Sequence, residues 1–142
     1  MGTINERADV AAQVKPAAPA VRRCLIVDDS RMIRRLSRDI IASHGYQVSE
    51  AEDGEEALAR IKAEGMPDLI VIDWNMPVMT GLQCVKALRQ VAGNTWPKIM
   101  FCTTNDDPAD IHKGIEAGAS DWVVKPFDRA AMEAKLEKIG AI

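Results

Sequence analysis

The stretch Leu69-Ile70-Val71-Ile72-Asp73 joins four apolar residues, three of them β-branched, to a single acid. An apolar run of this length without alternation reads as a strand covered on both faces, the environment of a central strand in a parallel sheet. The same pattern recurs on either side. Cys24-Leu25-Ile26-Val27 runs into Asp28-Asp29, Ile99-Met100-Phe101-Cys102 into Thr103, and Trp122-Val123-Val124 into Lys125. In an open parallel sheet the carboxyl ends of the strands share one edge, so these polar residues, remote in sequence, converge on one crevice.

Helical stripes separate the strands. Ile33, Leu36 and Ile40 recur at three and four residues, as do Leu58 with Ile61, Leu82 with Val85, Ile111 with Ile115, and Met132 with Leu136 and Ile139. Ser30 and Asp53 suit helix starts, Gly45, Gly65 and Gly118 suit helix ends, and Pro108 suits a first helical turn. With Gln47–Ala51 added, the strands predicted are 24–28, 47–51, 69–73, 99–103 and 121–124, each followed by a helix. Five βα units with right-handed crossovers give an α/β fold: a five-stranded, doubly wound parallel sheet with five helices.

Composition narrows the function classes. A chain of 142 residues suits one domain. Residues 1–21 read as a flexible tail, since Ala11 to Ala20 is Ala-rich, carries Pro16 and Pro19 and has no periodic stripe; residues 22–142 read as the domain. A net charge of −3 argues against general nucleic-acid or membrane-surface binding. No apolar run approaches the roughly 20 residues of a membrane span, and the opening Met1-Gly-Thr-Ile-Asn-Glu-Arg7 lacks the apolar centre of a secretory signal, so a cytoplasmic protein is expected. Cys24, Cys84 and Cys102 are odd in number and read as reduced core residues. His44 and His112 have no Cys or Glu at the spacing zinc requires, and Trp96 before Pro97 reads as a packed loop anchor.

The chemistry follows from the strand ends. Three carboxylates in one crevice repel one another, each pair by on the order of 3 kcal/mol at about 5 Å and an effective dielectric near 20. Such a group calls for a cation, and an all-oxygen donor set with room for water suits Mg²⁺. A hydroxyl from Thr103 and an ammonium from Lys125 would bind phosphoryl oxygens, which carry charge during phosphoryl transfer. Asp73 is then free to act as a nucleophile and hold an acyl phosphate.

Asp28-Asp29, the run Asp73-Trp74-Asn75-Met76-Pro77 followed by Gly81, then Thr103, and Gly118-Ala-Ser-Asp-Trp-Val-Val-Lys-Pro-Phe127 together resemble the receiver domain of bacterial response regulators. The separations of 44 residues from Asp29 to Asp73, 30 to Thr103 and 22 to Lys125 match without gaps, and Asp-Trp-Asn-Met-Pro is particularly like the stand-alone chemotaxis branch. The resemblance implies a (βα)5 flavodoxin-like fold with Asp73 as phosphoacceptor, charged by a histidine kinase or a histidine phosphotransfer protein. It implies Mg²⁺ held by Asp29 and Asp73 directly, by the backbone carbonyl of Asn75, and by Asp28 through water. Thr103 and Lys125 would take phosphoryl oxygens, with Lys125-Pro126 joined by a cis peptide that aims the amine inward. Trp122 would follow Thr103 as the switching ring, although Tyr or Phe is more usual there. Thr104, where a small residue is usual, is a second departure.

Asn75 and Asn105, each two residues past a site residue, stand where polar groups orient an attacking water, which predicts a phosphorylated lifetime of seconds to minutes. Arg31, Arg34, Arg35 and Arg38 recur on one helix face, either as a solvated stripe or as a dock for an acidic kinase or phosphotransfer partner. With no output module after the last helix, the expected output is protein binding through Ile111, His112, Ile115, Trp122, Lys125 and the last helix, from a monomer. The reading is a phosphoacceptor switch rather than an enzyme, promoting its own phosphorylation and dephosphorylation, of chemotaxis or motility type. Its alternatives are a phosphorelay shuttle or phosphate sink, including in stress-response signalling, and an aspartyl-phosphate phosphatase. The phosphatase is disfavoured because Asp28 and Asp29 are adjacent rather than one residue apart.

Overall fold

The computed structural model describes residues 21–93 and 96–142; the tail expected over 1–21 lies, apart from Val21, outside them. The strands are β1 (Arg23–Val27), β2 (Gln47–Ala51), β3 (Leu69–Asp73), β4 (Lys98–Thr103) and β5 (Asp121–Val124). They alternate with helices α1 (Arg31–Ala42), α2 (Gly54–Glu64), α3 (Gly81–Ala92), α4 (Pro108–Ala117) and α5 (Arg129–Lys138). All pairings are parallel in the order β2-β1-β3-β4-β5. The strand order reverses direction between β1 and β3, the place where such sheets bind ligands.

The unbroken apolar strands are explained by a core on each face. Cys24, Ile26, Leu69 and Val71 point to the face covered by α1 and α5, packing with Ile40 and Leu136. Leu25, Val27, Ile70 and Ile72 point to the other face, with Val85 and Phe101. Strand β2 departs from the pattern: as an edge strand it exposes Gln47 and half-buries Val48 through Glu50. The three cysteines are buried and free, and burial pushes their thiol pKa values up, that of Cys84 to about 11.

Local signals end the helices as read. The Ser30 and Asp53 side chains accept from the N–H groups of Ile33 and Glu56, and Pro108 opens α4. Thr80 with Gln83 adds a reciprocal capping box at α3, and Asp107 and Asp128 cap α4 and α5. The peptide bonds Lys125-Pro126 and Trp96-Pro97 are both cis. Val78, on the loop after β3, holds a φ of 69°, a left-handed backbone that a β-branched residue adopts only at a cost.

Candidate phosphoryl-transfer site

At the reversal of the sheet, β1 and β3 each deliver an acid past their last apolar residue. Carboxylate oxygens of Asp28, Asp29 and Asp73 lie within 4.8 Å of one another. Asp28 and Asp73 are buried, at 2% and 6% exposure, while Asp29 faces solvent. Lys125, delivered by β5, bridges the two buried acids: its Nζ is 2.7 Å from Asp28 Oδ2 and 3.1 Å from Asp73 Oδ1. The second Asp28 oxygen accepts the N–H of Ser30 at 2.9 Å.

The electrostatics are those of a group short of positive charge. Burial first, and the neighbouring Asp28 second, push the Asp73 carboxyl up to about 6 from 3.8; Lys125 and the backbone N–H of Asn75 offset only part of this. For Lys125 the balance runs the other way. Burial pulls the ammonium down, but its bonds to Asp28 and Asp73 outweigh burial and leave it raised, hence firmly charged. Two buried acids and one exposed acid, offset by a single ammonium, form a donor set of hard oxygens that fits a divalent cation of the Mg²⁺ kind.

Thr103 ends β4, 3% exposed, with its hydroxyl engaged by the next turn: it accepts the Asn105 N–H at 2.9 Å and donates to the Asn105 carbonyl at 3.2 Å. Asn75 and Thr104 are both exposed. The amide of Asn105 is not directed at the acids. Its oxygen accepts the Asp107 N–H at 2.9 Å and its nitrogen donates to Asp110, so it organises the start of α4.

Trp122 is half-buried, with the Lys135 ammonium 4.4 Å over its ring, and Lys135 also pairs with the buried Asp121 at 3.3 Å. Between Trp122 and Thr103 lies a cleft of about 10 Å³, lined also by Trp74, Phe101, Ile111 and Ile115. That space admits about one water. Trp74 packs edge-on against Phe101 at 4.9 Å. Gly114 makes room for both rings, since a Cβ there would sit 2.9 Å from Phe101 and 3.0 Å from Trp74.

The arginine stripe divides. Arg34 is buried and bonded to Glu50 and to the Asp28 carbonyl, and Arg38 is bonded to Glu50, whereas Arg31 and Arg35 are exposed. As a single solvated or docking face the stripe is therefore corrected, because Glu50 on β2 draws two of its members inward. The signal available in the sequence was a lone acid, Glu50, within a strand candidate.

Comparison with known proteins gives the family of a chain with this sheet order, acid cluster and bridging lysine. The chain belongs to the response regulator receiver domain family, whose model matches residues 24–137. The chemotaxis protein CheY of Thermotoga maritima is 37% identical over 119 residues, 83% of this chain and 97% of that protein. CheY1 of Helicobacter pylori strain 26695 is 35% identical over 118 residues, 82% of this chain and 95% of that protein. The structure of the chemotaxis response regulator CheY4 of Vibrio cholerae aligns with a TM-score of 0.77 at 37% identity, covering 84% of this chain and 99% of that one. Among the described residues no helix is long and apolar enough to cross a membrane.

Proposed function

We propose that this chain is a single-domain response regulator of chemotaxis type, with residues 22–142 as the receiver and Asp73 as its phosphoacceptor. The observation that carries the reading is the Lys125 bridge between Asp28 and Asp73 at the reversal of the sheet. An Asp73 carboxylate oxygen attacks the phosphorus of a phosphohistidine on a kinase or phosphotransfer protein. The P–N bond breaks, its electron pair returns to the imidazole, and an acyl phosphate forms on Asp73. Asp28, Asp29, Asp73 and the Asn75 carbonyl would hold Mg²⁺, which when bound neutralises charge on the phosphoryl oxygens.

Lys125, already within 3.1 Å of Asp73, pairs with a phosphoryl oxygen. The Thr103 hydroxyl exchanges the Asn105 carbonyl for another, which pulls at the β4–α4 turn and at the cleft that Trp122 borders. The change is then read by a protein partner on α4, β5 and α5. The protein acts in the cytoplasm as a monomer, catalysing only its own gain and loss of phosphate.

Intact-mass measurement after incubation with acetyl phosphate and Mg²⁺ tests the mechanism. One phosphoryl group is expected on the wild type and none on Asp73→Asn; no gain by the wild type, or gain that survives the substitution, overturns it. The chemotaxis assignment is tested separately, by phosphorylation-dependent binding of a flagellar switch peptide.

A further inference from the structure

Strand pairing between β1 and β2 ends at Val27 and Ala51, so the carbonyl of Asp28 has no strand partner. Arg34 supplies one. Its Nη1 donates to that carbonyl at 2.8 Å in a buried contact, while its Nε donates to Glu50 Oε1 at 2.9 Å. The other Glu50 oxygen accepts from Arg38 at 2.7 Å, and Arg38 reaches on to the Val48 carbonyl at 3.3 Å. Burial works against the Glu50 charge, but the bonds from Arg38 and Arg34 outweigh it and hold its pKa down, so the pair is ionic.

The Asp28 carbonyl lies in the same peptide plane as the nitrogen of Asp29, and a peptide plane turns as one body. Holding that oxygen sets the direction in which Asp29 leaves β1. The Asp28 N–H is held on its own side by the Ala51 carbonyl at 3.1 Å. Asp29, exposed and outside the ladder, has its place in the acid cluster determined largely by this plane.

We infer that Arg34, clamped by Glu50, is the positioning residue that orients the Asp28–Asp29 peptide and thereby sets the affinity of the acid cluster for a divalent cation. The inference rests on the proposed metal site. Arg34 touches neither the cation nor the phosphoryl group; it acts through the backbone. Partners behind metal ligands commonly change affinity by ten-fold or more.

The sign of the effect separates this role from others. A positive charge near the site, acting by charge alone, weakens cation binding, so its removal would tighten binding. A contribution to folding alone would leave the affinity of the folded protein unchanged. If Arg34 positions the loop, its removal weakens binding.

The test titrates the metal-free protein with Mg²⁺ alone, followed by the fluorescence of Trp74 beside Asp73 and by calorimetry, with folding checked by circular dichroism. Arg34→Met is expected to raise the Mg²⁺ Kd about ten-fold, and Arg34→Lys, which keeps the charge but not both bonds, by less. Glu50→Gln, which loosens the clamp and leaves Arg34 in place, serves if Arg34→Met does not fold, with a rise of about three-fold. Arg60→Met on α2, in an exposed pair with Glu64, is the control with no change. An unchanged or lower Kd in the Arg34 and Glu50 variants overturns the inference while leaving the proposed function standing. A wild type that binds no Mg²⁺ overturns both.

Discussion

The two edges of the sheet use their charged side chains in opposite ways. At the amino edge three guanidinium groups, those of Arg22, Arg23 and Arg89, meet backbone carbonyls. Arg22 donates to Ala141 at 2.7 Å, and Arg23 to Glu64 and Gly65, at the end of α2, at 2.7 and 2.8 Å. Arg89 donates to Gly118, Gly93 and Pro97 at 2.9, 3.2 and 2.8 Å. Several of these carbonyls end helices, where a cation is favoured. At the carboxyl edge, two buried acids share one lysine beside a third acid, and the adjoining loop holds Val78 in a left-handed backbone. The arginines of one edge are matched by carbonyls of the chain itself. The other sets three acids against one ammonium, a surplus of negative charge that a bound cation would offset, and it is the working edge of the proposed function.

The largest expected effect comes from closing the working edge from below. A Cβ on Gly81 would overlap the Asp73 carbonyl and come within 2.9 Å of Phe101. Gly81→Ala is expected to cost about 3 kcal/mol in urea unfolding and to displace Asp73, lowering phosphorylation of the folded protein. On the amino edge, Arg89→Met leaves three carbonyls without their donor and is expected to cost about 2–3 kcal/mol. Phosphorylation by the remaining folded protein should be unchanged. Loss of phosphorylation at constant fold would break the contrast between the edges.

Asp73→Asn is expected to stabilise the metal-free protein at pH 7 by about 1–3 kcal/mol, because the folded state raises this carboxyl from 3.8 to about 6. The sign follows from proton binding. Between those pH values the folded state holds a proton that the unfolded chain has lost, so the stability due to Asp73 is full below pH 3.8 and declines as pH rises through about 6. The gap between wild type and Asp73→Asn should therefore open across that window and be absent at pH 3. Saturating Mg²⁺ should narrow it at pH 7, since a ligand that binds the folded wild type stabilises it. A gap that closes as pH rises would contradict the account of an acid raised by burial and by the neighbouring Asp28.

The smallest effect concerns the strained loop. Val78 is 77% exposed, so replacement removes no packing, and Val78→Asn is expected to add about 1 kcal/mol by thermal melting. No gain would mean that the working edge stores charge repulsion alone.

Much of this was legible before any coordinates. Strands β1, β3, β4 and β5 stand within a residue or so of where their apolar runs placed them, because a strand covered on both faces must be apolar throughout. Ser30, Asp53 and Pro108 mark helix starts because capping is a bond between near neighbours. Asp28, Asp29, Asp73 and Lys125 meet because parallel strands end on one edge. Less was legible where a side chain had a choice of partners. Asn105 was as free in sequence to face the acids as to face α4, and it bonds Asp107 and Asp110. Four arginines at helical spacing looked alike until Glu50 engaged two of them.

The sequence by itself determined the class of fold, the identity of the polar residues at the strand ends and the edge on which they gather, because periodicity, capping and parallel pairing act through local or repeated geometry. Only the tertiary structure decided that Lys125 bridges Asp28 and Asp73, that Trp122 lies under Lys135 beside a cleft that admits about one water, and that Arg34 holds the Asp28 peptide. Those outcomes join residues as many as 97 positions apart. They depend on register, burial and competition among partners, all of which exist only once the chain has packed.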